Sequence, residues 1–157
     1  MVNTITSVSD ADLIRIVQAY YDAVDSGDAS RVAETYLSAP STTLKFNADD
    51  PIVTIAAIKE FTARFFDVAR VKHSKIEIWK TPLMGDVVPV DLQPARGSST
   101  VTVVSTALPT FTIGDGSAST RLALPATSIF TIDMQSGKFA SVHNMFDLAK
   151  VFAAAGG

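Results

Sequence analysis

The chain has 157 residues, 47% of them apolar and 18% charged, with a net charge of −3 and no cysteine. That length suits one domain over residues 1–157, with enough apolar material for a sizeable core. The acidic balance, with no cluster of basic residues, disfavours nucleic acid as a partner, and the lack of cysteine excludes disulfides, thiolate nucleophiles and Cys-ligated zinc.

In chain order, Ser9 suits a helix N-cap, with Asp10 and Asp12 in the first turn, at the positive end of the helix dipole. Leu13, Ile16, Val17, Tyr20 and Val24 follow helical spacing until Gly27 breaks the run. Asp28 can cap a second helix with Val32, Ala33, Tyr36 and Leu37 on its apolar face, stopped by Pro40. Residues 42–46 read as a short strand, and residues 47–51 carry turn chemistry. Thr54 can cap a third helix with Ile55, Ile58, Thr62, Phe65, Phe66 and Ala69 on one face.

After Arg70 the period changes from that of a helix to that of a strand. Strands are expected over 71–81, 99–113, 119–134 and 138–147, with hairpin turns at Gly114-Asp115-Gly116 and Gln135-Ser136-Gly137. Strands this long must twist and bend, so the sheet is expected to be strongly curved. Pro109 and Pro125 inside strand patterns imply edges, bulges or bends. The Pro- and Gly-rich stretch 82–97 reads as a long loop, and the Ala/Gly tail as a frayed end. The N-terminus lacks the pattern of a signal peptide, and no apolar run approaches the roughly 18 residues of a membrane span, so a cytoplasmic protein with no membrane partner is expected.

Helix, helix, short strand, helix and then a long antiparallel meander resembles the nuclear-transport-factor-2-like superfamily, its SnoaL-like branch above all. Local pieces carry the likeness: Tyr20-Tyr21-Asp22-Ala23-Val24-Asp25-Ser26-Gly27-Asp28 at the end of the first helix, Val71-Lys72-His73 opening a strand that reaches Trp79, Leu124-Pro125-Ala126-Thr127-Ser128-Ile129-Phe130, and Gly137-Lys138-Phe139 through Phe146-Asp147-Leu148. The resemblance implies an α+β fold in which three N-terminal helices pack on a strongly curved antiparallel sheet, a cystatin-like α+β barrel whose cone holds a pocket. It also implies small-molecule chemistry without a cofactor, because similar enzymes include polyketide cyclases, ketosteroid isomerases and scytalone dehydratase.

His73 titrates in the range a proton-transfer catalyst needs. Its place early in the second strand matches a cavity histidine of enzymes similar to scytalone dehydratase, and the same resemblance would make Asp25 a pocket acid. The plainer alternatives are a half-exposed strand histidine and a helix-ending aspartate. Tyr20, Tyr21, Tyr36 and Trp79 could line a binding site for a ring system, although helical spacing assigns Tyr20 and Tyr36 to the core. Alternation sends His143 and Asn144 to opposite faces of the last strand, so one of these two candidate substrate contacts looks into the cone. Strict alternation groups Phe139 with His143 and Val142 with Asn144. SnoaL-like cyclases place an acid near this point; Asn144 cannot serve as a base, which departs from the cyclase pattern.

No nucleotide-binding, serine-hydrolase or zinc-protease motif is present, and two histidines far apart do not suggest a metal site. Two readings remain. One is a cofactor-free isomerase, cyclase or dehydratase acting on a small apolar or polycyclic molecule. The other is a non-catalytic ligand-binding or dimerisation module. A cone of several hundred Å3 walled by His73 would favour the first; a cone plugged by aromatic rings would favour the second. A homodimer joined through the outer face of the sheet is expected, because helices cover only one side of it.

Overall fold

The computed structural model describes residues 10–80, 100–114 and 118–156. The Ser9 cap, the loop over 82–97 and the turn residues Asp115 and Gly116 lie outside them. Helices α1 (Asp10–Ser26), α2 (Ala29–Ala33), α3 (Ile55–Val68) and α4 (Leu148–Ala154) pack on strands β1 (Thr43–Phe46), β2 (Ile52–Val53), β3 (Ala69–Lys80), β4 (Thr100–Ile113), β5 (Thr120–Ala123), β6 (Ala126–Asp133) and β7 (Lys138–Met145). The strands form one curved, unclosed sheet in the order β2-β1-β7-β6-β4-β3, with β5 on β4. This is the expected α+β cone.

Caps and glycines set the helix ends as their chemistry requires. The Asp28 carboxylate accepts from the backbone N–H groups of Ser30 and Arg31, and Thr54 Oγ1 accepts from Ala57 N–H. Gly27 has φ +69°, a conformation glycine adopts without steric penalty. The second helix stops at Ala33, well short of Pro40, because β7 recruits the backbone that follows. Leu37 N–H donates to Phe139 O at 2.8 Å, Phe139 N–H donates to Thr35 O at 3.0 Å, and Tyr36 forms a bridge with Phe139. The chain end is not wholly frayed: Asp147, read as strand, accepts from Lys150 N–H and caps α4.

The long strand expected over 119–134 is divided into β5 and β6 at Leu124-Pro125. Pro109 sits opposite this break, where its carbonyl accepts from Leu124 N–H and no ladder N–H is needed from the proline itself. One meander strand is joined from outside the meander: β1 pairs with β7 in parallel.

Two irregularities reassign faces that strict alternation mispredicts. Between Ser74 and Glu77 the β3–β4 register shifts, so that Ile78 lies opposite the buried Ser105 while Trp79 turns outward and is 47% exposed. Lys75 in this bulge has φ 50°. A second shift in the β6–β7 ladder places both Phe139 and Val142 inward, although alternation puts them on opposite faces. Along β4, Val101, Val103, Ser105, Ala107, Pro109, Phe111 and Ile113 face the helices and are buried. They meet Leu13, Val17 and Tyr20 of α1, with Phe130 and Phe139 at the centre. Burying each such phenylalanine contributes roughly 1.5–3 kcal/mol.

Candidate active site

Near the end of α1 and the start of β3 the structure brings Asp25 to His73. His73 Nδ1 lies 2.6 Å from Asp25 Oδ1. The same carboxylate accepts the His73 backbone N–H, at 3.0 Å to Oδ2 and 3.2 Å to Oδ1. Strand β3 is an edge of the sheet, so among the described residues its outward N–H groups have no neighbouring strand; at His73 an aspartate takes that place. Both side chains are sheltered, 11% exposed for His73 and 19% for Asp25.

A carboxylate accepts and does not donate, so in the neutral form of the His73 ring the proton sits on Nδ1 and Nε2 carries the lone pair. No partner from the described residues occupies Nε2. The other histidine is arranged the opposite way. His143 Nε2 lies 2.7 Å from the Asn47 carbonyl oxygen, which only accepts, so there the proton is on Nε2. Nitrogen NMR of the two imidazoles in their neutral forms should therefore show two different tautomers. A His73 ring protonated on Nε2 rather than Nδ1 would show that the Asp25 contact does not hold in solution.

His73 stands at the wall of a cavity of about 70 Å3 inside the cone. Tyr21 packs against the imidazole, with ring centroids 4.5 Å apart and planes tilted by 51°, and donates its hydroxyl to Ser105 Oγ at 2.9 Å. Tyr20, Ser128 and Asn144 supply further polar groups, and Phe46, Phe65, Phe111 and Phe146 supply apolar wall. Ser128 donates Oγ–H to Asn144 Oδ1 at 2.7 Å, which leaves the amide N–H groups of Asn144 as donors. Burial raises the Tyr20 phenol above its ordinary value, partly offset by hydrogen bonding with Tyr36 and Asn144. Burial likewise raises Tyr21, offset in part by Ser105 and Ser128. Tyr36 is pushed well up, by burial first and by the neighbouring Tyr20 second; its hydroxyl faces Tyr20 without a hydrogen bond of good geometry. At neutral pH these are neutral hydroxyls; that of Tyr21 is given to Ser105, and that of Tyr20 is at the cavity.

Of the residues singled out in the sequence, His73, Tyr20, Tyr21 and Asn144 line the cavity, and Asp25 stands behind His73. Tyr36 is packed in the core below Tyr20 and does not line the cavity. Trp79 and His143 lie outside it, Trp79 on the outer face and His143 bonded to Asn47. Ser105 and Ser128 were missed. Their signal was present, since each is a polar residue within the apolar inward set of its strand. Among the described residues no group of three His, Asp or Glu side chains could hold a metal ion.

No family model and no curated protein matches the sequence. Solved structures do match. A protein from Jannaschia provisionally named a SnoaL-like polyketide cyclase is 18% identical, with a TM-score of 0.62 over 92% of each chain. A ketosteroid isomerase-like protein from Erwinia carotovora is 15% identical, with a TM-score of 0.61 over 87% of this chain and 95% of that one. The Orange Carotenoid Protein of Anabaena, which binds canthaxanthin, is 16% identical, with a TM-score of 0.55 over 82% of this chain and 34% of that one. At such identities the likeness is one of architecture. The chain has the fold of the SnoaL-like, nuclear-transport-factor-2-like proteins.

Proposed function

We propose that the cone carries out a cofactor-independent proton transfer on a small, mostly apolar molecule, of the isomerisation, cyclisation or dehydration type. The observation that carries this reading is the 2.6 Å pair of Asp25 and His73 with Nε2 open at the cavity wall. In this reading Nε2 takes a proton from substrate carbon, Nδ1–H remains on Asp25, and the carboxylate stabilises the imidazolium that forms. A substrate oxygen would accept from Tyr20 and from the Asn144 amide, and charge developing on it would be stabilised by those donors. Asn144 serves as a donor here, so the acid of the cyclase pattern is not required.

The size of the cavity limits the substrate. About 70 Å3 holds a few water molecules, far below the several hundred Å3 of a drug-sized site. A polycyclic ligand would have to displace Phe46, Phe65, Phe111 or Phe146, whereas a small cyclic carbonyl compound asks less of them. This same tightness favours a second reading, a binding module without turnover; the Orange Carotenoid Protein, matched over 34% of its length, binds canthaxanthin. Incubation in heavy water with a panel of small cyclic ketones separates the two. Deuterium gained at the carbon beside the carbonyl supports proton transfer; binding without exchange across the panel rejects it.

The proposed enzyme is a homodimer. On the outer face Trp79, Val104 and Ile129 stand side by side in register across β3, β4 and β6, with His143 next in the row. No helix of the described residues covers this apolar row, and exposed apolar patches of this kind usually mark interfaces. Light scattering at micromolar concentration is expected to give twice the chain mass of 16.7 kDa; the single-chain mass would reject the dimer. No helix among the described residues is long and apolar enough to cross a membrane.

A further inference from the structure

Asp25 is in an unfavourable place for a carboxylate. It lies in the last turn of α1, at the negative end of the helix dipole, with Asp22 one turn before it and no basic residue in that turn. An acid so placed is repelled by the partial negative charge of the helix end. Helix ends also fray, yet the proposed reaction needs this carboxylate fixed to a fraction of an ångström.

The compensating charges come from the strand. Lys72 Nζ donates to Asp25 O at 2.9 Å, and Arg70 Nη1 donates to Gly27 O at 3.1 Å. Helix and turn supply partners for two further carbonyls at this end: Ala23 O accepts from Ser26 Oγ at 2.6 Å, and Val24 O from Gly27 N–H at 3.0 Å. The approach of Arg70 is so close that a Cβ at Gly27 would fall 1.9 Å from its guanidinium. Residues 70, 72 and 73 of one edge strand thus all reach the end of one helix.

We propose that Arg70 and Lys72 are positioning residues, a two-cation clamp that satisfies the terminal carbonyls of α1 and so holds Asp25 on His73. The importance of the clamp for turnover rests on the proposed reaction; its structural action does not. Both side chains are reached from solvent, so they can be replaced without opening the core.

Amide hydrogen exchange and nitrogen NMR of the His73 ring test the clamp in the full chain. In the Arg70→Met/Lys72→Met double variant the His73 amide should exchange about tenfold faster or more, the equivalent of one hydrogen bond to a charged group. The His73 ring should then lose its single tautomer, while amides of β6 and β7 exchange as before. Lys72→Arg should keep the His73 signals of the wild type, and Lys72→Met alone should show an intermediate change. Unchanged His73 exchange and tautomer in the double variant would overturn the clamp. An equal rise at every amide would also overturn it, because the cations would then stabilise the whole fold and not this contact. If the double variant does not fold, Lys72→Met against Lys72→Arg gives the same decision. Absence of turnover in the wild type would remove the reaction and leave these outcomes untouched.

Discussion

His73→Ala is expected to lower turnover of a reactive substrate by about 100-fold or more, the usual contribution of a general base. Asp25→Asn should do comparable damage by a different route. An asparagine keeps an oxygen to accept the His73 backbone N–H, but it cannot stabilise an imidazolium. Its amide N–H can also turn to Nδ1, forcing the ring proton onto Nε2 and removing the lone pair from the cavity. Both variants should keep the fold, because the pair sits at a sheet edge and a helix end and not in the packed centre. The measurement is deuterium exchange or turnover in each variant, with circular dichroism as the control. Unchanged rates in both would remove His73 and Asp25 from the chemistry.

The second large effect concerns alkali. The chain has only three tyrosines, and all three phenols are raised above their ordinary value, by burial first in each case. Below that value, about 10, folded and unfolded chains both hold these protons and stability does not depend on them. As pH rises further the unfolded chain releases them while the folded chain keeps them. The stabilisation is therefore fully present below pH ~10 and is lost as pH climbs toward the raised values. Three groups acting together give a slope of about 4 kcal/mol per pH unit, against a total stability of about 5–15 kcal/mol for an ordinary domain. Tyrosinate absorbance should accordingly stay flat through pH 10, then rise in one cooperative step that coincides with loss of circular dichroism. A tyrosine that ionises near pH 10 while the fold is intact would contradict the burial described here.

The helical half of the fold was legible because caps and periodicity agree: Asp28, Thr54 and Gly27 act as their chemistry implies. The meander was legible in number and order but not in phase. One extra residue at Lys75 and another near Ala140 reverse which side chains face inward, and no local signal announces either bulge. That is why Trp79 moved from candidate site to outer face and why Phe139 joined Val142 in the core. Pro125 implies an edge, bulge or bend within one strand, whereas the structure divides that strand in two, each half pairing separately with β4. The pairing of His73 with Asp25 rested on a family resemblance, since nothing in either stretch specifies that an edge N–H and an imidazole will share one carboxylate. Asn144 was visible as a polar residue on an apolar face; its hydrogen-bonded partner Ser128, on a separate strand, was not.

The parallel ladder between β1 and β7 has a kinetic consequence. Thr43 aligns with Ser141 and Phe46 with Asn144, joining stretches roughly a hundred positions apart, whose loop closure must be met before any contact between them rewards it. The hairpin β6–β7 and the α1–α2 pair can form from near neighbours in the chain, whereas this seam needs both to be in place. It should therefore be among the last parts of the molecule to assemble. Mutations at Leu44 should speed unfolding more than they slow folding. Because Phe46 and Asn144 border the cavity beside this seam, a chain that has folded everything else would still lack a finished binding site.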